Sequence, residues 1–133
     1  MAPDSPSTPT PQKVALVVED SLVEAKLIST VLTNQGLAVV CAADGLTALQ
    51  KVDEIHPDLI ILDINMPGMN GFQVAQAIKQ DARNAKLPIV MLTTRDTPES
   101  AMTGFDAGAI DYIPKDAFAM RVLVETIQQI GIL

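Results

Sequence analysis

Residues 59–63 are Leu-Ile-Ile-Leu-Asp, a run of apolar side chains that ends on a carboxylate. A short apolar run of this kind is typical of a buried strand, and a charged group directly after it has to serve something other than the core. Three other apolar runs also end at polar groups: Val14–Val18 at Glu19 and Asp20, Ile89–Leu92 at Thr93, and Tyr112–Pro114 at Lys115. If these strands are parallel neighbours, their polar ends meet at the edge where an open α/β sheet binds its ligand.

Amphipathic segments lie between the strands. Ser21 and Glu24 have the spacing of a helix capping box, and Gly36 is typical of a helix end. Besides the four runs above, strands are predicted at Leu37–Ala42 and Ala109–Ile113, and helices at Phe72–Asp81 and from Thr97-Pro98-Glu99, the latter fraying at Gly104–Gly108. Three more helices are predicted from their apolar stripes: the first carries Leu22, Ala25, Ile28, Ser29, Val31 and Leu32, and the one after Asp44-Gly45 carries Leu46, Leu49, Val52 and Ile55. The last helix, capped by Asp116, carries Phe118, Val122, Leu123, Ile127 and Ile130. Strand and helix alternate five times, which predicts an α/β fold of parallel strands with right-handed crossovers.

The composition fits one domain with an aliphatic core, since 133 residues are 48% hydrophobic and only 3% aromatic. The net charge of −7 argues against direct binding of nucleic acid or of an anionic membrane surface. No apolar run approaches the ~20 residues that span a bilayer, so membrane insertion is not expected. The single Cys41 excludes an intrachain disulfide and suits a reducing compartment, and we therefore expect the cytoplasm.

Residues 1–12 differ from the rest, because they hold four of the nine prolines, interleaved with Ser and Thr. A segment of this composition cannot bury enough apolar surface to offset its ordering entropy, so we expect a disordered tail. The folded domain is predicted to span residues 13–133.

The polar ends of the strands indicate phosphoryl-transfer chemistry. Glu19, Asp20 and Asp63 bring up to three negative charges together, and two charges ~4 Å apart repel by about 4 kcal/mol at an effective dielectric near 20. Mg²⁺ suits such a cluster, because it takes oxygen ligands and leaves water positions open for a phosphate. Lys115 and Thr93 add a positive charge and a hydroxyl donor, and Asp63, alone at its strand end, is the candidate nucleophile.

Four motifs resemble, in chain order, the receiver domain of two-component response regulators. They are Val18-Glu19-Asp20-Ser21, the strand and loop Pro57–Asp63 with Met66–Gly71, Pro88–Thr93, and Ala107–Lys115. The resemblance covers roughly residues 13–130 and implies a five-stranded parallel sheet of order 2-1-3-4-5 in a flavodoxin-like, three-layer (βα)5 sandwich. A chemotaxis receiver is the standard example of that strand order.

The resemblance also implies roles for individual residues. Asp63 would be the phosphorylated aspartate, and Asp20 and Asp63 would bind Mg²⁺ together with the backbone carbonyl of Asn65. Glu19 would act on the metal through water. Lys115 and Thr93 would contact the phosphoryl oxygens.

Thr93 would also take part in a switch, in which the ring of Tyr112 turns inward as Thr93 moves towards the phosphate. The phosphoryl donor would be a histidine kinase or a phosphotransfer protein, since the only histidine, His56, is predicted at the far end of the third strand. The signal would leave through the fourth helix, fifth strand and fifth helix to a downstream protein target. Catalysis would be limited to self-phosphotransfer and autodephosphorylation at Asp63.

Four positions depart from the family pattern. Asp116 stands where a proline usually follows the lysine, so a cis peptide is not expected there. Thr94 stands where Ala or Gly is common and is expected to crowd the phosphate. Val122 and Thr126 replace the Glu and Arg usual in receivers that dimerise as transcription factors.

Two other functions remain open from the sequence. A pseudo-receiver would keep the fold as a protein-binding module without being phosphorylated, which the complete set of Asp, Thr and Lys residues argues against. A stand-alone Mg²⁺ phosphohydrolase would also use an aspartyl phosphate, but Asn65 leaves no general acid two residues after Asp63.

Overall fold

A computed structural model describes residues 12–95 and 97–132 of the chain. The strands are β1 (Val14–Val18), β2 (Ala38–Ala42), β3 (Leu59–Leu62), β4 (Ile89–Thr93) and β5 (Asp111–Pro114). The helices are α1 (Leu22–Asn34), α2 (Gly45–Ile55), α3 (Gly71–Gln80), α4 (Pro98–Asp106) and α5 (Ala119–Gln129), with a short 3-10 helix at Ala82–Asn84. All strand pairs are parallel and the sheet order is β2-β1-β3-β4-β5, which confirms the predicted α/β fold and strand order.

The sheet separates two aliphatic cores. On one face, side chains of α1 and α5 such as Leu32 and Leu123 pack against Ile61 of β3. On the other face, Val52 of α2 and Val74 of α3 belong to the cluster around the remaining side of the sheet. Because successive side chains of a strand point to opposite faces, the central strands must be apolar throughout, which is why β3 is a continuous apolar run.

Helix boundaries follow local chemistry in most places. Asn70 and Gln73 form a complete capping box at the start of α3, and Pro98 is the first residue of α4. Helix α4 ends at Asp106, within the stretch Gly104–Gly108 where it was predicted to fray, and β5 begins at Asp111 rather than at residue 109. Asp116 does not cap α5: the N-cap is Phe118, and the Asp116 carboxylate accepts the Phe118 N–H at 2.8 Å.

Several apolar residues predicted to face the core are exposed instead. Leu22 is 82% exposed, Phe118 is 63% exposed, and Leu46 and Val122 are also exposed. Leu22, Leu46 and Phe118 lie at the starts of their helices, where the chain has just left the carboxyl end of a strand and the first turn overhangs the sheet edge. Hydrophobic periodicity does not predict this overhang, because it assigns a residue to a face of the helix but not to a position along the sheet.

Three further findings concern the predicted tail, the absence of a predicted membrane segment and the peptide bond after Lys115. The expected tail falls, except for Gln12, outside the described residues. Within the described part of the chain, no helix combines the length and apolar character that a bilayer crossing requires. The peptide bonds that the structure describes include no cis bond, so the Lys115–Asp116 bond is trans.

Candidate phosphoryl-transfer site

Strand register brings the predicted polar groups together. Val18 pairs with Leu62, so the residues that follow them, Glu19 and Asp63, leave the sheet side by side, and the Asp63 N–H donates to the Val18 carbonyl at 3.0 Å. Thr93 pairs with Pro114, which places Lys115 next at the same edge. The carboxyl ends of four parallel strands therefore supply the whole site, as expected for an open α/β sheet.

Lys115 is the centre of the ion pairs at this edge. Its Nζ lies 2.6 Å from Oε1 of Glu19, 3.0 Å from Oε1 of Glu24 and 3.2 Å from Oδ2 of Asp63. Burial would lower the pKa of the Lys115 ammonium, but its hydrogen bonds to Glu19 and Glu24 and the charge of Asp63 outweigh burial and raise that pKa. Lys115 consequently stays positively charged and holds three carboxylates in place.

Glu19 is enclosed and has both carboxylate oxygens engaged. Oε1 accepts from Lys115, and Oε2 accepts the Ser21 backbone N–H at 3.1 Å. Burial raises the pKa of the Glu19 carboxyl, an effect that the hydrogen bonds from Lys115 and Ser21 only partly oppose. Glu19 thus has a fixed orientation, and both of its carboxylate oxygens already accept hydrogen bonds.

Asp63 is oriented from two sides and is 6% exposed. Lys115 holds Oδ2, and the Asn65 backbone N–H donates to Oδ1 at 3.3 Å. The Asn65 side chain bonds Thr94, since its Nδ2 donates to Oγ1 of Thr94 at 3.0 Å. Thr94, predicted to crowd the phosphate, is exposed and positions Asn65 in this structure.

The three acids form a cluster whose donor atoms suit a hard divalent cation. One ligand oxygen from each of Glu19, Asp20 and Asp63 can be chosen so that all lie within 4.8 Å of one another. Oxygen donors of this kind fit Mg²⁺, which is held through one or two carboxylates while retaining water. Asp20 is exposed, so its oxygens are the most accessible of the three.

Thr93 and Tyr112 are linked through the backbone of Arg95. Oγ1 of Thr93 accepts the Arg95 N–H at 3.1 Å, and the Tyr112 hydroxyl donates to the Arg95 carbonyl. Thr93 is fully buried, and Tyr112 is partly buried. A displacement of the Thr93 hydroxyl would therefore act on the same residue that holds the Tyr112 ring.

Two features of the site were missed by sequence reasoning. Glu24 was predicted to complete a capping box by bonding the Ser21 N–H, but that N–H donates to Glu19 and the Glu24 carboxylate instead contacts Lys115. Gly71 opens α3 so close to β3 that a Cβ there would lie 2.4 Å from the Asp63 carbonyl oxygen. The Asn-Gly dipeptide was visible in the sequence, whereas the backbone that approaches it was not.

The raised pKa of Lys115 gives the site a pH-dependent contribution to stability. Because the folded state holds the Lys115 proton more tightly than the unfolded state, this contribution is complete below the ordinary value of 10.5 and is lost as pH rises through the folded-state pKa. We expect the free energy of urea unfolding to fall above pH 10.5 by more in the wild type than in Lys115→Met. The difference between the two proteins isolates the contribution of Lys115, and parallel curves would contradict the expectation.

These features define a class of site in which an oriented aspartate, a lysine and an acidic cluster share one edge of a (βα)5 sheet. Residues 15–128 match the family model of the response regulator receiver domain. The chain belongs to the response regulator receiver domain family.

Known relatives agree with that assignment. The chain is 39% identical over 100 residues to the DNA-binding response regulator MtrA of Mycolicibacterium paratuberculosis, a match that covers 75% of this chain and 43% of that protein. It is 37% identical over 115 residues to the phosphate regulon transcriptional regulatory protein PhoB of Klebsiella pneumoniae, covering 86% and 50% of the two chains. This chain therefore spans about half the length of these relatives or less.

Among solved structures, the fold is similar to that of the Vibrio cholerae chemotaxis protein CheY4. The TM-score is 0.83 at 35% sequence identity, and the match covers 90% of this chain and 98% of that one. The similarity thus extends over nearly the whole of a receiver.

Proposed function

We propose that this receiver, expected to span residues 13–133 and to act in the cytoplasm, accepts a phosphoryl group on Asp63 and transmits the event through its surface. The observation that carries the proposal is the Asp63 carboxylate, enclosed at the strand edge with Lys115 3.2 Å from one oxygen and two further acids beside it. A strand-end carboxylate with only a structural role would not need this set of partners.

The reaction that the site supports is a displacement at phosphorus. An oxygen of Asp63 forms the new P–O bond, while the bond between phosphorus and the donor breaks and its electron pair leaves with the donor. For a phosphohistidine donor, that leaving atom is an imidazole nitrogen. Lys115 and the Thr93 hydroxyl can donate to the phosphoryl oxygens, where negative charge is concentrated.

Mg²⁺ is the cofactor proposed for this site, and it would supply charge neutralisation for the transferred group. Asp20, Asp63 and the backbone carbonyl of Asn65 would hold it. Glu19 would act through water, because both of its oxygens are already hydrogen-bonded to Lys115 and Ser21.

The proposed phosphoryl donor is a histidine kinase or a phosphotransfer protein. A cleft of about 270 Å³ opens beside Lys115, between α1 and the start of α5, with Leu27, Ala117 and Met120 in its lining. The exposed side chains of Leu22 and Phe118 lie at the adjoining helix starts. Apolar groups around a polar reaction centre suit a docked protein better than a small metabolite.

The proposed output surface comprises α4, β5 and α5. Phosphoryl contact would draw the Thr93 hydroxyl away from the Arg95 N–H, which would loosen the residue whose carbonyl holds Tyr112. Met102, Phe105 and Ile110 are exposed on α4 and the loop that follows it, where a target could sense the change. This is a two-state element biased by a local charge event.

The direct test is incubation with Mg²⁺ and acetyl phosphate, followed by intact-mass measurement. We expect the mass of one phosphoryl group to be added, and no addition when Mg²⁺ is replaced by excess chelator. An unchanged mass under both conditions would favour a non-phosphorylated binding module, whereas continuous hydrolysis of an external phosphate ester would favour a phosphohydrolase.

Removal of the Asp20 carboxylate is expected to separate metal binding from folding. Asp20 is exposed and lies beside two like charges, so Asp20→Asn should not lower the free energy of unfolding. Mg²⁺ affinity measured by calorimetry should fall by at least about tenfold, because one carboxylate of the cluster is lost. Asp53→Asn, which removes an exposed acid that pairs with Arg83, is the matched control and should bind Mg²⁺ as the wild type does. Equal affinity in Asp20→Asn would contradict its role as a ligand.

A further inference from the structure

Glu24 makes a contact that the receiver resemblance does not assign. It lies on the first turn of α1, three residues after the N-cap Ser21, and its Oε1 is 3.0 Å from Nζ of Lys115. The carboxylate is available for this contact because the Ser21 N–H, its usual capping partner, is taken by Glu19. Helix α1 thus reaches into the site through one side chain.

Three acids surround the Lys115 ammonium: Nζ donates to Glu19 and Asp63 and forms an ion pair with Glu24. A lysine ammonium carries three N–H donors and no acceptor, and Nζ of Lys115 faces one oxygen each of Glu19, Glu24 and Asp63. A phosphoryl oxygen on Asp63 can be bound by Lys115 only if one of these contacts is given up. The structure therefore implies a competition for the lysine.

The contact that is easiest to give up is the one to Glu24. The Glu19 side chain is 1% exposed and lies 2.6 Å from Nζ, so releasing it would leave a buried carboxylate without its partner. The contact to Asp63 orients the attacking carboxylate and is needed until the new P–O bond has formed. The Glu24 side chain is 44% exposed, so water can solvate its carboxylate once the lysine has moved to another acceptor.

We propose that Glu24 is a positioning residue that occupies one donor of Lys115 until a phosphoryl group displaces it, and so restrains phosphorylation of Asp63. This inference rests on the proposed function of Asp63. Glu24 acts in two ways, by competing for Lys115 and by adding its own negative charge to the surroundings of an anionic phosphoryl group. It is outside the acidic cluster of Glu19, Asp20 and Asp63, so its role differs from that of a metal ligand.

The test measures how fast acetyl phosphate, at saturating Mg²⁺, adds a phosphoryl group to the wild type and to Glu24→Gln. In this reaction Asp63 forms a P–O bond, the P–O bond of the donor breaks, and acetate leaves with the electron pair. We expect Glu24→Gln to react about fivefold faster, the factor that corresponds to a half-exposed ion pair. Glu54→Gln makes the same change of charge on an exposed residue near the end of α2 and should react as the wild type does.

Two further variants distinguish contact from charge and from a purely structural effect. Glu24→Asp keeps the charge but is one methylene shorter, so it should lose the Lys115 contact and also react faster than the wild type. In urea unfolding, Glu24→Gln should cost less in a Lys115→Met background than in the wild type, because the partner is already absent. Additive unfolding effects would show that the two residues do not interact.

Failure of the inference can be told apart from failure of the proposed function. If the wild type is labelled and Glu24→Gln is labelled no faster, the role of Glu24 is wrong and that of Asp63 stands. If the wild type takes no phosphoryl group at all, both are wrong. A rate for Glu24→Asp equal to that of the wild type would overturn the direct contact.

Discussion

Asp63→Asn is expected to abolish phosphorylation by acetyl phosphate, with no added mass after an incubation that fully labels the wild type. The amide oxygen of asparagine is neutral and far less nucleophilic than a carboxylate. The expected loss is at least about a thousandfold in rate, since the attacking group itself is removed.

The fold should survive this substitution, which makes the result interpretable. Asparagine has nearly the same shape, and its oxygen can still accept from Lys115, which lies 3.2 Å from Oδ2 in the wild type. Circular dichroism and urea unfolding should therefore match the wild type to within about 1 kcal/mol. Labelling that persists in Asp63→Asn would place the acceptor elsewhere, and Asp20→Asn, which removes the exposed acid of the cluster, would then be tested for loss of the label.

Gly71→Ala is expected to destabilise the protein by about 3 kcal/mol or more. A Cβ at this position would lie 2.4 Å from the Asp63 carbonyl oxygen and 2.7 Å from Cα of Ile64, and both are backbone atoms that cannot rotate away. Either α3 or the end of β3 has to move. Because β3 carries Asp63, the variant should also be phosphorylated more slowly than its loss of stability alone explains.

The matched control is Gly68→Ala in the same loop. Gly68 has a φ of +76°, and no atom lies within 4 Å of the position that a Cβ would take, so alanine there suffers conformational strain without a clash. Its expected cost is about 1 kcal/mol. Urea unfolding of the two variants measures the difference, and equal stabilities would show that the close approach at Gly71 can be relieved by small adjustments.

Local sequence patterns were informative where neighbouring residues decide the outcome. Strand β3 was predicted with its bounds at Leu59–Leu62, since a continuous apolar run bounded by Pro57 and Asp63 has few other interpretations. Likewise, Thr97 with Pro98 marks the start of α4 through N-capping chemistry alone. Asp116 was misleading because its carboxylate bonds the Phe118 N–H in the turn that precedes α5.

The alternation of strands and helices and the residue types at the strand ends could be predicted from local patterns, because hydrophobic periodicity and capping are properties of adjacent residues. The tertiary structure decided which of those residues share a lysine. Glu24 was predicted to cap α1, but in the structure it contacts the distant Lys115, because the Ser21 N–H donates to Glu19. Gly71 was a turn residue and is a point of close backbone approach to Asp63. Such choices depend on how strand register and helix placement bring distant groups into competition for the same partner, and no local pattern encodes that competition.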